Sequence, residues 1–440
     1  AAVLLWARRH DDGLRAARES VQQWQLTVAQ APAVPATLFG LAVANYDRAL
    51  LHVERREFDD RCDWGEVAVA IDAALGALAM LPAAATASIE FQQRRMDLLR
   101  LRSILREQRQ DAPGALADLQ EAVALADGLL AASPDTVLLH SRGVEMRRRL
   151  AEALLAAGRC AEALPLLRQA LAEHTRIEAS VSGHEQWVWR QRGLLWLLVR
   201  ACGLAGDVDG ALQAVDQDVG LAPSPQDWRG RQELISALAD VLATAPAQLP
   251  RRSELRTRAE ALLAEAFGYG EYHQRNGEST AMVDVMAANT HRIAARLHAA
   301  TGDRPARLRA LQGVADGLVS SYRSVKSERN RARLQRAFDA WLAELLQDGD
   351  GAVVAAAVGR MVEAFAGDAD AALAAAATAA RAVASRGDDD ARLLRDAGVA
   401  ALRAAVAAGC RDATRLRGEE FAALRLHADF DGVVDSAAGR

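Results

Sequence analysis

Lysine is almost missing from this chain of 440 residues: Lys326 is the single one, and arginine carries nearly all of the positive charge. Aromatic residues make up only 5%, and β-branched or aromatic runs of strand length are scarce, so little or no sheet is expected. The four cysteines (Cys62, Cys160, Cys202, Cys410) are far apart, with no CxxC pair. That excludes a zinc-finger spacing and points to buried free thiols. No apolar run within the chain is long enough to span a bilayer. Catalytic signatures are missing too: there is no GxSxG, no phosphate-binding glycine loop and no HExxH. The nine histidines are scattered. His184 precedes Glu185 without a second histidine four residues on, and His291 and His298 lie too far apart on a straight helix to hold one metal. The acidic run Asp388–Asp390 lacks the spacing and closing glutamate of a calcium loop. The expectation is therefore no catalytic residue, no metal and no cofactor. A net charge of −5 with an isoelectric point near 6.1 argues against a nucleic-acid partner.

What is present is a repeat. Val67, Ala115, Ala163, Ala211, Ala259 and Arg307 follow one another every forty-eight residues. Four residues after each comes Ile71, Leu119, Leu167, Val215, Leu263 and Leu311; seven after each comes Ala74, Ala122, Ala170, Asp218, Ala266 and Val314. Offsets of four and seven mark one face of a helix. A recurring unit of this kind cannot bury its apolar face alone and must stack on its copies. With 51% apolar residues, 25% charged ones and alanine dominant, the composition suits closely packed, water-soluble helices. The expected fold is all-α: an α-solenoid of antiparallel helix pairs, two helices of about 30 Å per repeat at the helical rise, winding into a right-handed superhelix.

Three segments are expected: N-terminal helices over 1–58, the repeats proper over 59–347, and C-terminal helical repeats with a cap over 348–440. Gly158-Arg159, Gly206-Asp207 and Gly302-Asp303 read as tight turns with glycine in the left-handed position. A tail helix is expected near 418–427. The stretch 267–277, FGYGEYHQRNG, reads as a loop in which Tyr269 and Tyr272 pack back on helix ends, or else as a protruding ligand loop containing His273. The apolar residues 1–7, followed by Arg8, Arg9 and His10, fit either the end of a membrane helix lying before residue 1 or the first turns of an amphipathic helix.

The hairpin at 147–172 resembles a tetratricopeptide repeat. Leu150, Ala151 and Leu154 match the large–small pattern of its first helix; Gly158, Ala163, Leu167 and Ala170 match its turn and second helix. Gly206, Ala211 and Val215 repeat the match, with both helices longer than the family's thirty-four-residue unit allows. The C-terminal segment, Gly409 to Asp412, Leu416, Phe421 to Arg425 and Ala428 to Phe430, resembles the end of the repeat arrays attached to bacterial serine/threonine protein kinases. Similar arrays follow winged-helix transmembrane regulators. The resemblance implies a sensory or scaffolding region of a larger bacterial signalling protein, cytoplasmic or membrane-tethered. Arg8-Arg9 weighs against an array outside the cytoplasm.

In tetratricopeptide hairpins the first helix lines the inner surface. Transferred here, that geometry puts Arg100, Arg148, Trp196 and Arg292 in one column, with Ile104, Glu152, Arg200 and Arg296 a turn further on and Arg149 alongside. Arginines lining a groove would take an acidic peptide, with Trp196 adding a cation–π or apolar contact. Asp118, Glu121, Glu162, Glu173, Asp216 and Asp218 on the second helices would then form an acidic exterior. The expected partner is a protein or peptide, and the alternative is a self-associating spacer. The run Arg323 to Arg336 is the most basic stretch and reads as a solvated helix start or as an anion contact.

Overall fold

In a computed structural model of the chain, the described residues are 10–32, 34–59, 62–181, 185–221, 228–245, 249, 251–275, 280–348, 350–383 and 386–439. None of them forms a strand. Contacts divide the chain into two compact units, residues 1–222 and 223–440. Residues 1–9, including the Arg8-Arg9 pair, lie outside the described residues.

The first unit contains α1 (His10–Gln30), α2 (Pro35–Asp59), α3 (Trp64–Ala79), the single turn α4 (Ala83–Thr86), α5 (Ile89–Gln108), α6 (Ala112–Ala132), α7 (Val137–Ala156), α8 (Cys160–Val181), α9 (Glu185–Ala205) and α10 (Val208–Leu221). Neighbours pack as antiparallel pairs: α2 on α3, α5 on α6, α7 on α8 and α9 on α10, with α6–α7 and α8–α9 joining pair to pair. This is the tetratricopeptide-like arrangement that the period implies. Two of its turns share one design. Gly158 (φ 73°) and Gly206 (φ 85°) take the left-handed position, and the next amide reaches back to the preceding helix, Arg159 to the Leu154 carbonyl and Asp207 to that of Cys202, both at 2.8 Å. The following helix is capped by the same aspartate where there is one: Asp111 accepts from the Gly114 amide at 3.0 Å and Asp207 from that of Gly210 at 2.9 Å.

The repeat column is the core. Val67, Ile71, Ala74, Ala115, Leu119, Ala122, Ala163, Leu167, Ala170, Ala211 and Val215 are all fully buried. Alanine at two of the three positions lets paired helices approach closely, and the aliphatic between them fills the gap.

The second unit contains α11 (Trp228–Thr244), α12 (Arg252–Arg275), α13 (Thr280–Thr301), α14 (Arg304–Ser324), α15 (Glu328–Asp348), α16 (Gly351–Ala364), α17 (Ala369–Val383), α18 (Asp388–Ala407), α19 (Ala413–Leu416), a 3₁₀ turn (Glu419–Leu424) and α20 (Phe430–Ala437). Here α11 packs on both α12 and α13, α13 on α14, α14 on α15, and α17 on α18. The column persists at Ala259, Leu263 and Ala266, all buried. It fades at Arg307, whose guanidinium joins that of Arg304 on the buried Glu344 carboxylate at 3.1 and 3.4 Å. The tail expected to be a helix near 418–427 is a 3₁₀ turn flanked by α19 and α20. Phe421, Leu424, Phe430 and Val434 seal the end of the core.

A second expectation is corrected. Residues 267–275 are not a loop: α12 runs on through Arg275. Gly268 and Gly270 lie inside the helix, and one of them serves packing. A Cβ at Gly270 would sit 3.2 Å from the Trp228 ring, so the missing side chain makes room for that buried indole. Tyr269 and Tyr272 are therefore helix residues. Residues 276–279 and the side chain of His273 lie outside what is described.

Candidate functional site

Charge distribution in the first unit follows from burial. The acids expected on an outer surface are partly between helices. Asp118, buried on α6, accepts from Arg102 Nε and Nη2 (3.0 and 2.6 Å), with Arg106 Nη1 at 3.0 Å. Asp218, fully buried on α10, accepts from Arg192 Nε and Nη2, both at 2.8 Å, and from the Trp196 indole N–H at 3.0 Å. Glu173 on α8 accepts from Arg147 at 2.9 Å and lies 2.5 Å from His140 Nδ1. The acidic exterior is thus corrected for Asp118, Glu173 and Asp218. A carboxylate at such a position is tolerated because an arginine of the adjoining helix neutralises it and fills its hydrogen-bond sites. Glu121 pairs with Arg95, and Glu162 with Arg159 on the surface.

The expected arginine columns divide in the structure. Arg100 on α5 and Arg148 on α7 line one cavity of about 510 Å³, together with Arg142 of α7 and Trp187, Trp189 and Arg190 of α9. Arg148 forks onto Glu145, with Nε and Nη2 each at 2.8 Å from a carboxylate oxygen. Burial pushes the Glu145 carboxyl up, but the Arg148 fork, with Arg100 and Arg149 nearby, outweighs burial and holds it below its ordinary value. Arg142 donates to Asp97 at 2.7 Å. Arg190 donates to the Ser141 hydroxyl at 2.7 Å, and its guanidinium lies 5.4 Å from the Trp187 ring centre. Arg149 is not among the lining residues; it bonds Glu152 at 3.0 Å and approaches Glu107 at 3.7 Å. Trp196 is half-buried, with its indole N–H committed to Asp218 and its ring edge-on to Trp189. Arg200 lies half-buried on α9, outside the cavity lining.

In the second unit, Arg292 is exposed on α13 and donates to the Asn289 side-chain oxygen at 3.1 and 2.6 Å. Arg296, one turn on, binds the Ser236 hydroxyl at 2.9 Å and pairs with Asp240 of α11. Arg296 and Arg252 border a cavity of about 520 Å³ between α11 and α13. Arg292 borders a different one, which also takes in Arg333 and Arg336 of the basic run.

Reading the sequence missed Arg142, Arg190, Trp187 and Trp189. A signal existed for the arginines: Arg94, Arg142 and Arg190 are themselves forty-eight residues apart, and so are Asp97 and Glu145. The two columns meet across helices where Arg142 bonds Asp97 of the preceding first helix; Arg190 does not repeat the contact with Glu145 and bonds Ser141 instead. Among the described residues no group of histidines, cysteines and carboxylates is arranged to hold a metal ion, and no helix is long and apolar enough to cross a membrane.

No known protein family matches the sequence, and no curated protein does. The chain is similar in structure to a circular tandem repeat protein with novel repeat topology and enhanced subunit contact surfaces, at 15% identity over 100% of this chain and 91% of that one, with a TM-score of 0.32. It is also similar to a chain of the Naa15/Naa10 complex bound to HypK-THB, at 15% identity over 98% and 78% of the two chains and a TM-score of 0.18. A third similarity is to the APC/C hetero-tetramer Cut9-Hcn1, at 11% identity over 98% and 95% and a TM-score of 0.19.

Proposed function

We propose that the chain is a non-catalytic helical-repeat scaffold that holds an acidic segment of a partner polypeptide against its first helices. One observation carries the reading. Arg100 and Arg190 face a single cavity from α5 and α9, and among the described residues no carboxylate lies within ion-pair distance of either. The other two arginines of the cavity are neutralised by Asp97 and Glu145. The cavity therefore keeps two cations for a ligand, and the fork held at Arg190 by Ser141 and Trp187 is already oriented. A peptide carboxylate reaching Arg190 would also lie beside the Trp187 and Trp189 rings, which accept apolar side chains.

The wider setting, downstream of a kinase or a winged-helix regulator, belongs to this proposal and is supported by the C-terminal resemblance alone. The test is direct binding of a fluorescein-labelled, glutamate-rich peptide to the full chain, measured by anisotropy. Arg100→Glu with Arg190→Glu should leave helicity and thermal midpoint unchanged and weaken binding more than about tenfold, the loss set by the reversed charges. Unchanged affinity in the double variant would remove the reading. Light scattering over a range of concentrations separates it from a self-associating spacer, which would gain mass without any peptide.

A further inference from the structure

The second unit has a cavity of different character. It lies between α13, α14 and α15, has a volume of about 540 Å³, and contains no acidic residue in its lining. Met286, Leu311 and Leu318 are half-buried around its floor, and Arg292, Arg333 and Arg336 stand around it. We infer that it is a separate docking site for a polypeptide segment that carries one large apolar side chain flanked by carboxylates.

Several arginines elsewhere in this unit are matched by a carboxylate, which the lining of this cavity does not supply. Arg304 and Arg307 share Glu344, Arg331 forks onto Asp368, and Arg360 pairs with Asp316. Among the described residues no carboxylate lies within ion-pair distance of Arg292 or Arg336, although both line one opening, from α13 and α15. Like charges placed around an apolar floor repel one another, and an incoming pair of carboxylates relieves that repulsion.

Arg292 is also held in place. The fully buried Gln232 of α11 donates to Thr290 Oγ1 at 2.7 Å and to the Met286 carbonyl at 2.8 Å. Its side-chain oxygen accepts from Asn289 Nδ2 at 2.6 Å, which turns the Asn289 oxygen outward to receive the Arg292 guanidinium. A buried amide relay thus fixes one of the cations before any ligand arrives, which lowers the entropy cost of binding. The volume falls in the range of ligand-sized pockets, of the order of 300–1,000 Å³. It accommodates an apolar anchor while leaving the exposed Arg292 and Arg336 for flanking acids. The net charge of −5 opposes docking of the whole chain on an anionic bilayer and favours a discrete acidic segment.

The site shares no residue with the cavity of the first unit, so the two readings stand or fall separately. The experiment selects peptides from a random phage-displayed library on the full chain and measures the affinity of synthetic copies of the winners. The expected winners place Leu, Met or Phe next to Asp or Glu. They should lose about tenfold or more in affinity on Arg292→Glu with Arg336→Glu, weaken with rising salt, and bind unchanged to Arg100→Glu with Arg190→Glu. Arg292→Gln with Arg336→Gln gives the same direction with a smaller loss, and circular dichroism confirms that each variant is folded. The inference is overturned if no peptide is enriched, if the winners lack acids or apolar residues, or if the Glu and Gln variants bind them as tightly as the parent chain. Flotation with phosphatidylglycerol vesicles that is lost in the Arg292/Arg336 variants would reassign the site to lipid and overturn it as well.

Discussion

Asp218 occupies a position that Ala74, Ala122, Ala170 and Ala266 hold in the equivalent helices, and it is fully buried there. Its partner Arg192 replaces the buried Met96 and Val144 of the preceding first helices. The repeat thus tolerates an ion pair in place of an apolar contact only because both members changed together. Asp218→Ala restores the common residue and should nevertheless destabilise the first unit by about 3–5 kcal/mol, since the Arg192 guanidinium is left buried without its carboxylate. Adding Arg192→Met should recover most or all of the loss in urea unfolding. If the single change is neutral, the pair has no role in holding α9 to α10.

Titration also acts at single residues. His291 rests against Gly313, where a Cβ would come within 2.5 Å of the imidazole, and its ring centre lies 4.9 Å from that of Phe267. Burial lowers its pKa from the ordinary 6.5, against an opposing pull from Asp316. Burial lowers His174 and His298 in the same direction. The unfolded chain then takes up protons first as the pH falls below about 6.5, so stability present above that pH is lost on acidification. Thermal midpoints measured from pH 7.5 to 5 should fall, and His291→Phe should flatten part of that slope. A midpoint that rises on acidification in the parent but not in His291→Phe would contradict the sign.

At the level of elements, the turns that join paired helices are nearly copies of one another. Gly158, Gly206 and Gly302 all have φ between 73° and 85°, while the corresponding residue of the α5–α6 turn is Gln110 at φ 61°. Its backbone bonds match those of the glycines: the Asp111 amide reaches the Arg106 carbonyl at 2.9 Å. A side chain in this conformation costs roughly 1–2 kcal/mol, offset in part by the greater freedom glycine has when unfolded. Gln110→Gly should therefore stabilise the protein by about 0.5–1 kcal/mol, read as a higher midpoint in urea. Three of the four turns could be placed from glycine alone. The fourth was hidden because no residue type announced it; its place is given by the forty-eight-residue spacing. The same trust in glycine misled at Gly268 and Gly270: both lie within α12, and at Gly270 a buried tryptophan on a neighbouring helix, not a turn, requires the small residue.

At the scale of the whole molecule, the helices of each unit touch chiefly their neighbours in sequence, so stability is distributed locally. Damage in one unit should stay there. In hydrogen exchange, Asp218→Ala should lower protection across α9 and α10 while residues 251–439 keep that of the parent chain. Uniform loss over both units would show the chain unfolding as one cooperative body.

Most helix positions, the pairing of helices within the forty-eight-residue repeats and the buried alanine face were readable from the amino-acid order; the C-terminal turns of α12 and the 3₁₀ turn at 419–424 were not. The readable features depend on local propensity and on a period that the chain states six times. The fates of the arginines were not readable. Arg148 turns onto Glu145 three residues away, Arg192 crosses to Asp218 on the next helix, and Arg292 is left facing an apolar cavity without an acid. A guanidinium on a long side chain can reach several neighbours, and only packed helices determine which carboxylate is near enough to hold it and which cation is left for a partner.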